Sequence, residues 1–510
     1  MPAGRAWLHG CVLKRRKTGP AALISQRAAV SVVYVGAMFM TILDATIVNA
    51  ALPTLGRQFH VAATSVDTVA IYYLVSLAVF IPASGWLGDR FGGKRVLLTA
   101  VVVFTGASAL CGAAWSLPAL EIFRVLQGAG GGMLAPVGLT MLLRVFPPAD
   151  RIRMAGLVTV PTTLAPAVGP VLGGLLVTDA SWRWVFYVNV PIGAAALLFG
   201  LLFLDGGTEH RPGRFDVAGF TLAGAGLGAL MYGVSEGPVS HWAAAPVLAA
   251  MCAGAVLLGV LVRVELGRRQ PLIDLRLLGN RLFRSCCAVM VLGSVAFLGT
   301  LYLASLFFQD GRGLSALSSG LSIFPEAFGV MAGAQVASRV LYPRLGPRRH
   351  IALGLAGVVV SIALMALVGA HTSLWWMRLL MFVMGLAQGQ VFVPSQAAAF
   401  ATISPAATGR ASTLFNAGRQ LGGAIGVAVL TTVVVAVGAR HVAGGRVVPN
   451  LLAYHVAFLV AAGVDVAAVL VALTIRDADA AATMPARGAR PPRPGGRPAG
   501  AGAGGDEGAG

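Results

Sequence analysis

Ionisable side chains are scarce in the apolar stretches of this sequence, so the few that occur there are where chemistry is to be sought. Asp44 stands in "LDATIVNAALPTL", Leu43 to Leu55, inside a run that is apolar from about Ala28 to Leu52. Arg124, Glu326, Arg378, Arg419 and Asp465 stand in comparable runs, with Glu121 near the entrance of one. A carboxylate moved from water into apolar surroundings favours its protonated form, so Asp44 could exchange a proton under physiological conditions. It could hold a proton or a cation, but not both well. An arginine keeps its proton, so Arg124 would be a fixed positive charge that favours a neighbouring carboxylate in one conformation and withdraws in another. The alternatives are structural: a carboxylate paired permanently with an arginine, or an arginine tethered to backbone carbonyls. Glu326 in "FPEAFGV" and Asp465 in "GVDVAAV" are second-rank proton or cation sites. Asn49, Gln127, Arg378, Arg419 and Gln420 are candidates to line a cavity.

The remaining side-chain chemistry is sparse. The eight histidines form no HExxH and no ligand cluster, and no nucleophile–base constellation stands out. No metal, no cofactor and no enzymatic activity are expected. Glycine clusters such as "GAGGG" (Gly128 to Gly132) follow no strand, and no GxxxxGK[ST] occurs, so a nucleotide loop is not expected. The five cysteines contain no CxxC.

The elements that position these residues are long and apolar. The chain is 57% hydrophobic and 11% charged, with a mean hydropathy of +0.80, too apolar for a soluble protein. Runs of roughly 20 residues, each enough to cross about 30 Å of hydrocarbon, recur with Gly, Pro and Ala but without strand-like alternation. Fourteen helical spans are expected, at about 28 to 52, 67 to 87, 96 to 115, 119 to 142, 154 to 177, 184 to 204, 215 to 235, 243 to 262, 285 to 308, 316 to 338, 351 to 370, 375 to 398, 412 to 437 and 453 to 474. The fold class is an all-α polytopic bundle.

A net charge of +19 would suggest nucleic acid in a soluble chain. With a cytoplasmic N-terminus, however, about 30 of the 38 Lys and Arg fall in cytoplasmic loops, about 5 outside and about 3 within spans. The charge therefore reads as topology, with both termini cytoplasmic, and no nucleic-acid partner is expected. "KRRK" (Lys14 to Lys17) precedes a run too long for a signal peptide, and no convincing cleavage site follows. Lys14, Lys17 and Lys94 are the only lysines, a bias towards Arg, Ala and Gly that suggests a high-GC bacterial source.

Sliding the chain against itself by about 254 residues brings "DRFGGKR" onto "PRLGPRR" and "RVLQGAGG" onto "RLLMFVMG", aligning Arg124 with Arg378. Duplicated halves follow. The expected division is a basic N-terminus (1–27), a first six-helix half (28–205), a linker and inserted hairpin (206–264), a second half (265–476) and a disordered tail (477–510). The hairpin spans carry no mid-depth charge, which predicts a peripheral position.

The loop "GWLGDRFGGKRVLL", Gly85 to Leu98, combines turn glycines with a compact set of opposite charges, enough to latch helices in one state and release them in another. Its pattern, Gly85, Asp89, Arg90, Gly92, Lys94 and Arg95 in G-x-L-x-D-R-x-G-x-K-R, resembles the signature loop of the major facilitator superfamily. "LDATIVNAALPTL", "RVLQGAGGGMLAP" and "PTTLAPAVGPVLGG" resemble the first-, fourth- and fifth-span motifs of its fourteen-span drug:proton antiporter branch, with Ala165 where glycine is usual. "SWRWVFYVNVPIG" and "FNAGRQLGGAIGVAV" resemble further marks of that branch.

In the fifth-span motif, Ala165, Gly169 and Gly173 at i, i+4 and i+8, with Gly174 beside them, give a smooth helix face, and Pro166 and Pro170 favour a bend. A hinge is expected. The resemblance implies proton coupling through Arg124 and export by alternating access of a hydrophobic or cationic drug in exchange for protons, by a monomer in the plasma membrane. Dedicated export of an endogenous antibiotic, siderophore or lipid is the alternative, and a non-exchanging channel or sensor a third. Pro343 stands where the second-half loop would need its aspartate, so a symmetrical latch is not assured.

Overall fold

A computed structural model of the chain describes residues 24–61, 66, 68–206, 214–268, 271–443 and 446–484. Helices dominate, as the unbroken apolar runs require: a backbone in hydrocarbon must satisfy its own hydrogen bonds. In chain order they are α1 (Gln26–Ile47), the short α2 (Leu52–Phe59), α3 (Thr68–Phe91), α4 (Gly93–Gly112), α5 (Leu117–Val145) and α6 (Arg151–Asp179). Then come the single turn α7 (Trp184–Tyr187), α8 (Asn189–Phe203), α9 (Val217–Ser240), α10 (Ala245–Gly267) and α11 (Arg281–Leu306). The last group is α12 (Ala316–Ile323), α13 (Pro325–Val336), α14 (Tyr342–Met365), α15 (Leu374–Ala399), α16 (Thr408–Val437) and α17 (Leu451–Ala472). Strands β1 (Arg440–Ala443) and β2 (Arg446–Pro449) form one antiparallel hairpin before α17, with Arg440 opposite Pro449.

Polar residues at the span edges start several helices. The Ser25, Ser116, Asp216 and Asn280 side chains accept the N–H of Ala28, Ala119, Gly219 and Phe283, satisfying donors that the first helical turn leaves free.

Among the described residues, twelve helical segments are long and apolar enough to cross a membrane, or thirteen if the bent pair Pro148–Pro166 and Val171–Asp179 is one span. The expected fourteen differ from this at Ser318–Met365, a 48-residue run that takes in two expected spans. At 1.5 Å per residue that run is about 70 Å long, well beyond one crossing. It is interrupted at Gly346, whose φ of 75° is not helical.

The duplication is visible in the backbone. Gly92 has a φ of 86°, and Gly346, 254 positions later, has 75°; both begin the helix that follows, in conformations that side chains other than glycine rarely adopt. Between the halves, α9 packs on both α3 and α16, while α10 packs chiefly on α9 and is largely exposed. The hairpin is therefore peripheral through α10, whereas α9 lies over a seam. Phe220 meets Phe80 and Phe215 meets Trp86, edge to face at 5.8 and 4.8 Å, and the Trp242 indole N–H donates to Thr432 Oγ1 at 2.7 Å.

Residues 477–483, expected within a disordered tail, form a short 3-10 helix with Ala480 and Thr483 buried. The expected N-terminal stretch up to residue 23, and the tail beyond 484, lie outside the described residues.

Candidate functional site

Asp44 sits on α1 near its C-terminal end, fully buried. Three side chains from two other helices converge on its carboxylate. Arg124 Nη1, on α5, donates to Oδ2 at 2.6 Å; Gln127 Nε2, one turn along α5, donates to Oδ1 at 2.8 Å; and Asn189 Nδ2, the first residue of α8, donates to the same oxygen at 2.9 Å. The i, i+3 spacing of Arg124 and Gln127 places both on one face of α5, and Arg124 Nη1 also donates to Gln127 Oε1 at 2.8 Å.

A further ring of groups fixes the donors. Arg124 Nε donates to the Val69 carbonyl at 3.1 Å, and its guanidinium lies 4.2 Å from the centre of the Tyr73 ring, a cation–π stack. Asn189 Nδ2 also reaches Ser108 Oγ at 3.1 Å, while Ser108 donates to the Phe186 carbonyl at 2.9 Å. The result is an ion pair sealed within the first half, with Asp44 and Arg124 at most 1% exposed.

Asn189 and Ser108 were not singled out from the sequence, although Asn189 stands in "SWRWVFYVNVPIG"; an uncharged amide in an apolar run gives no signal until its neighbours are known. Replacing Asn189 by Leu should remove one of two donors to Oδ1 and leave Ser108 without that partner. The expected cost is roughly 1–3 kcal/mol, read as a lower thermal unfolding temperature in detergent.

The other candidates are not part of this network. Glu326 is buried in the first turn of α13, and its Oε1 has no hydrogen-bond partner; Asp465 on α17 is fully buried with both carboxylate oxygens unpartnered. Among the described residues no ion pair joins Glu326, Asp465, Arg378 or Arg419 to a counter-charge. Arg378 instead lies over the Trp375 ring at 4.8 Å, so duplication of the sequence position has not duplicated the pair. Arg419 stands near Tyr34 across the two halves. Gln420 lines a slot between α3, α9 and α16 together with Ala78, Ile81, Leu227, Met231, Ala417 and Leu421, on the hairpin side. Gln127, expected as cavity lining, is spent on Asp44, and Asn49 is exposed in the turn after α1.

The loop residues divide into separate tasks. Asp89 Oδ1 accepts from Arg144 at 2.7 Å, and a Cβ added at Gly409 would lie 3.5 Å from Asp89 Oδ2, so the carboxylate rests against the first turn of α16 in the other half. That is a favourable place for an anion, because free N–H groups and the helix dipole face it. At Gly85 a Cβ would come within 2.9 Å of Thr413 Oγ1 and 3.1 Å of the Gly409 carbonyl, so no larger residue fits this crossing. Lys94 instead donates to the carbonyls of Leu201 and Leu204, closing the C-terminus of α8 within its own half. Gly92 makes the turn, and Arg90 and Arg95 are exposed.

Hydrogen bonds that cross between the halves gather at this same end of the bundle. Ser84 and Thr413 hydroxyls are 3.3 Å apart, Ser412 Oγ donates to the Pro136 carbonyl at 2.9 Å, Arg151 Nη1 to the Phe400 carbonyl at 2.6 Å, and Gln335 Nε2 to the Gly156 carbonyl at 3.1 Å. Arg27, on the first turn of α1, pairs with Asp150 nearby.

Helix α6 packs along α1, the helix of Asp44. Ala165 is buried, a Cβ at Gly169 would fall 2.2 Å from Thr46 Oγ1, and one at Gly173 would fall 2.8 Å from the Ile47 carbonyl. Gly174 faces open space. The segments on either side of Pro166 and Pro170 are bent by 40°.

Two pseudo-repeated helical halves, the first enclosing a sealed acid–arginine pair, define a multi-pass helical membrane protein. The profile of the Major Facilitator Superfamily matches residues 34–427, and the chain belongs to that family. Among its relatives is the Multidrug resistance protein B homolog of Mycobacterium tuberculosis (strain ATCC 25618 / H37Rv), 32% identical over 78% of this chain and 74% of the relative. Another is the Tetracenomycin C resistance and export protein of Streptomyces glaucescens, 31% identical over 78% and 74%. In structure the chain is similar to the human organic anion transporter MFSD10 (TETRAN), with a TM-score of 0.64, 16% identity and coverage of 88% of this chain and 100% of that one; the likeness is one of fold.

Proposed function

We propose that this protein exports hydrophobic or cationic toxic compounds across the cell membrane by alternating access, in exchange for protons, with Asp44 as the coupling acid and Arg124 as its counter-charge. The observation that carries the reading is the sealed pair itself, Arg124 Nη1 to Asp44 Oδ2 at 2.6 Å with no solvent contact. Buried ion pairs are poor stabilisers, so one kept in a membrane interior suits a switch better than a strut. The names of the M. tuberculosis and S. glaucescens relatives support export as the activity.

In this reading the end bearing Arg27 and the loop Gly85 to Leu98 is cytoplasmic, as the excess of basic residues there favours. With that end closed by the bonds between halves, water would reach the pair from the opposite side. A proton on Asp44 would break the pair, leaving Arg124 to Gln127 Oε1, the Val69 carbonyl and the Tyr73 ring. Opening to the cytoplasm would then release the proton, and the re-formed anion could recruit a cationic compound. Asp465, with both oxygens unpartnered, and Glu326, with Oε1 unpartnered, serve as further proton or cation sites. The Asp89 loop is the latch and the α6 bend the hinge. Inward movement of one charge through 100 mV releases about 2.3 kcal/mol, enough for an accumulation ratio of tens. We take the working unit to be a monomer.

Adding a transported drug to the purified protein in weakly buffered detergent should release protons, read with a pH dye. Drug binding without proton release would overturn exchange and leave a sensor or an uncoupled carrier. The second reading, dedicated export of one endogenous antibiotic, has its support in the name of the S. glaucescens relative. It predicts proton release with a single compound class and none across a general drug panel.

A further inference from the structure

The first-half loop has Asp89 to hold its seam, whereas the second-half loop has Pro343 at the aligned position. The missing carboxylate is nevertheless present in space. Asp477, just beyond α17, accepts the N–H of Arg348 on Oδ1 at 2.8 Å, and a Cβ added at Gly346 would strike the Asp477 carboxylate at 2.9 to 3.1 Å. The acid therefore covers the positive-φ glycine and caps the Arg348 N–H at the start of the helix that follows it.

The six residues after Asp477 do not trail away. Ala480 and Thr483 are fully buried, and the Thr483 and Tyr342 hydroxyls are 2.7 Å apart. Met484 packs against a cluster drawn from both halves: Ile152 and Ala155 of α6 in the first, and Ala334, Tyr342, Val393 and Ala397 in the second. The same short helix touches Pro148–Asp150, the turn that precedes α6. Upstream, Thr474 is fixed to the second half, its carbonyl accepting from Arg281 and its hydroxyl lying 3.0 Å from Ser285 Oγ.

We propose that Asp477–Met484 is a strap, rooted on the second half and clasped to the first, which holds this end of the bundle shut across the α6–α13/α14 seam. Asp477 supplies the second-half loop with the anion that Pro343 withholds, but within its own half, so the crossing to the first half is made by Met484 and the turn before α6. To open this end, Met484 must leave Ile152 and Ala155, or the strap must peel off Tyr342 and Gly346. The strap thus adds to the stability of the closed state without touching the Asp44 pair, and its action does not depend on which compound is carried.

The test is thiol accessibility in the full chain, in detergent and without substrate. Ala155, 1% exposed at the seam, is replaced by Cys, and its alkylation rate is followed by peptide mass spectrometry. Adding Asp477→Ala with Met484→Ala should raise that rate roughly three- to tenfold, the range expected when one or two modest contacts bias the closed state. Asp477→Glu alone, with Met484 kept, should hold the rate near the parent's, and a Cys at buried Ala107 within the first half should not respond in any variant. An unchanged rate at position 155 with the strap residues removed would overturn the proposal. So would an equal rise at position 107, which would mean general loosening.

Discussion

Asp44→Asn is expected to bring drug efflux down to the level of cells that lack the protein, a loss of at least roughly tenfold in resistance, and to abolish proton release by the purified carrier. The substitution keeps the shape of the side chain and changes what it can accept. Its amide oxygen can still take the Gln127 and Asn189 N–H groups, but its NH₂ would face the Arg124 Nη1–H, donor against donor. Arg124 would be left as a buried cation without a counter-charge. Loss of activity alone would not separate coupling from misfolding, so the double variant Asp44→Asn with Arg124→Gln is decisive. It removes both charges, restores a neutral interior, and should recover stability without recovering transport. Efflux at the parent level in Asp44→Asn, or in the double variant, would sink Asp44 as the coupling acid.

The second large effect concerns stability. Arg124→Ala takes the guanidinium from Asp44, from the Val69 carbonyl and from the Tyr73 ring together. A buried anion left with neutral donors only should cost about 3–5 kcal/mol, the usual penalty for breaking one side of a buried pair. In detergent this should appear as a large fall in the thermal unfolding temperature. Adding Asp44→Asn to Arg124→Ala should reverse much of that fall, because the stranded charge is gone. If the two losses simply add, the pair is not coupled in the folded protein.

Much of this architecture could be read in the sequence because a bilayer imposes simple rules. A carboxylate in an apolar run marks itself, which is how Asp44 was found, and the 254-residue lag of the repeat reappears as two glycines in the same unusual backbone conformation. What faces what was less legible. In a membrane protein the lipid-facing and the buried sides of a helix are both apolar, so periodicity does not say that Gln127 turns to Asp44 or Gln420 to the hairpin. Asn189 was hidden because an amide carries no charge to draw notice. Residues 477–484 read as tail because the stretch just beyond them is rich in Pro, Gly and Ala, and the value of Asp477 depends on a backbone turn more than 130 positions upstream. The span count differed where two crossings run together at Gly346.

Helix α9 packs on both halves through apolar side chains, with aromatic contacts added on the first, while Trp242, in the turn after α9, donates its indole N–H to Thr432 of the second. Apolar contacts tolerate sliding, while a directional bond does not, so in the alternating-access reading proposed above the C-terminal end of α9, tied down by Trp242, should move with α16. It then acts as a moving awning over one flank of the bundle. A molecule dissolved among the lipid tails meets that awning before it meets the gap between α3 and α16, and among the described residues no inserted helix covers the side where α6 runs beside α13. Approach to the two seams from within the bilayer is thereby made lopsided.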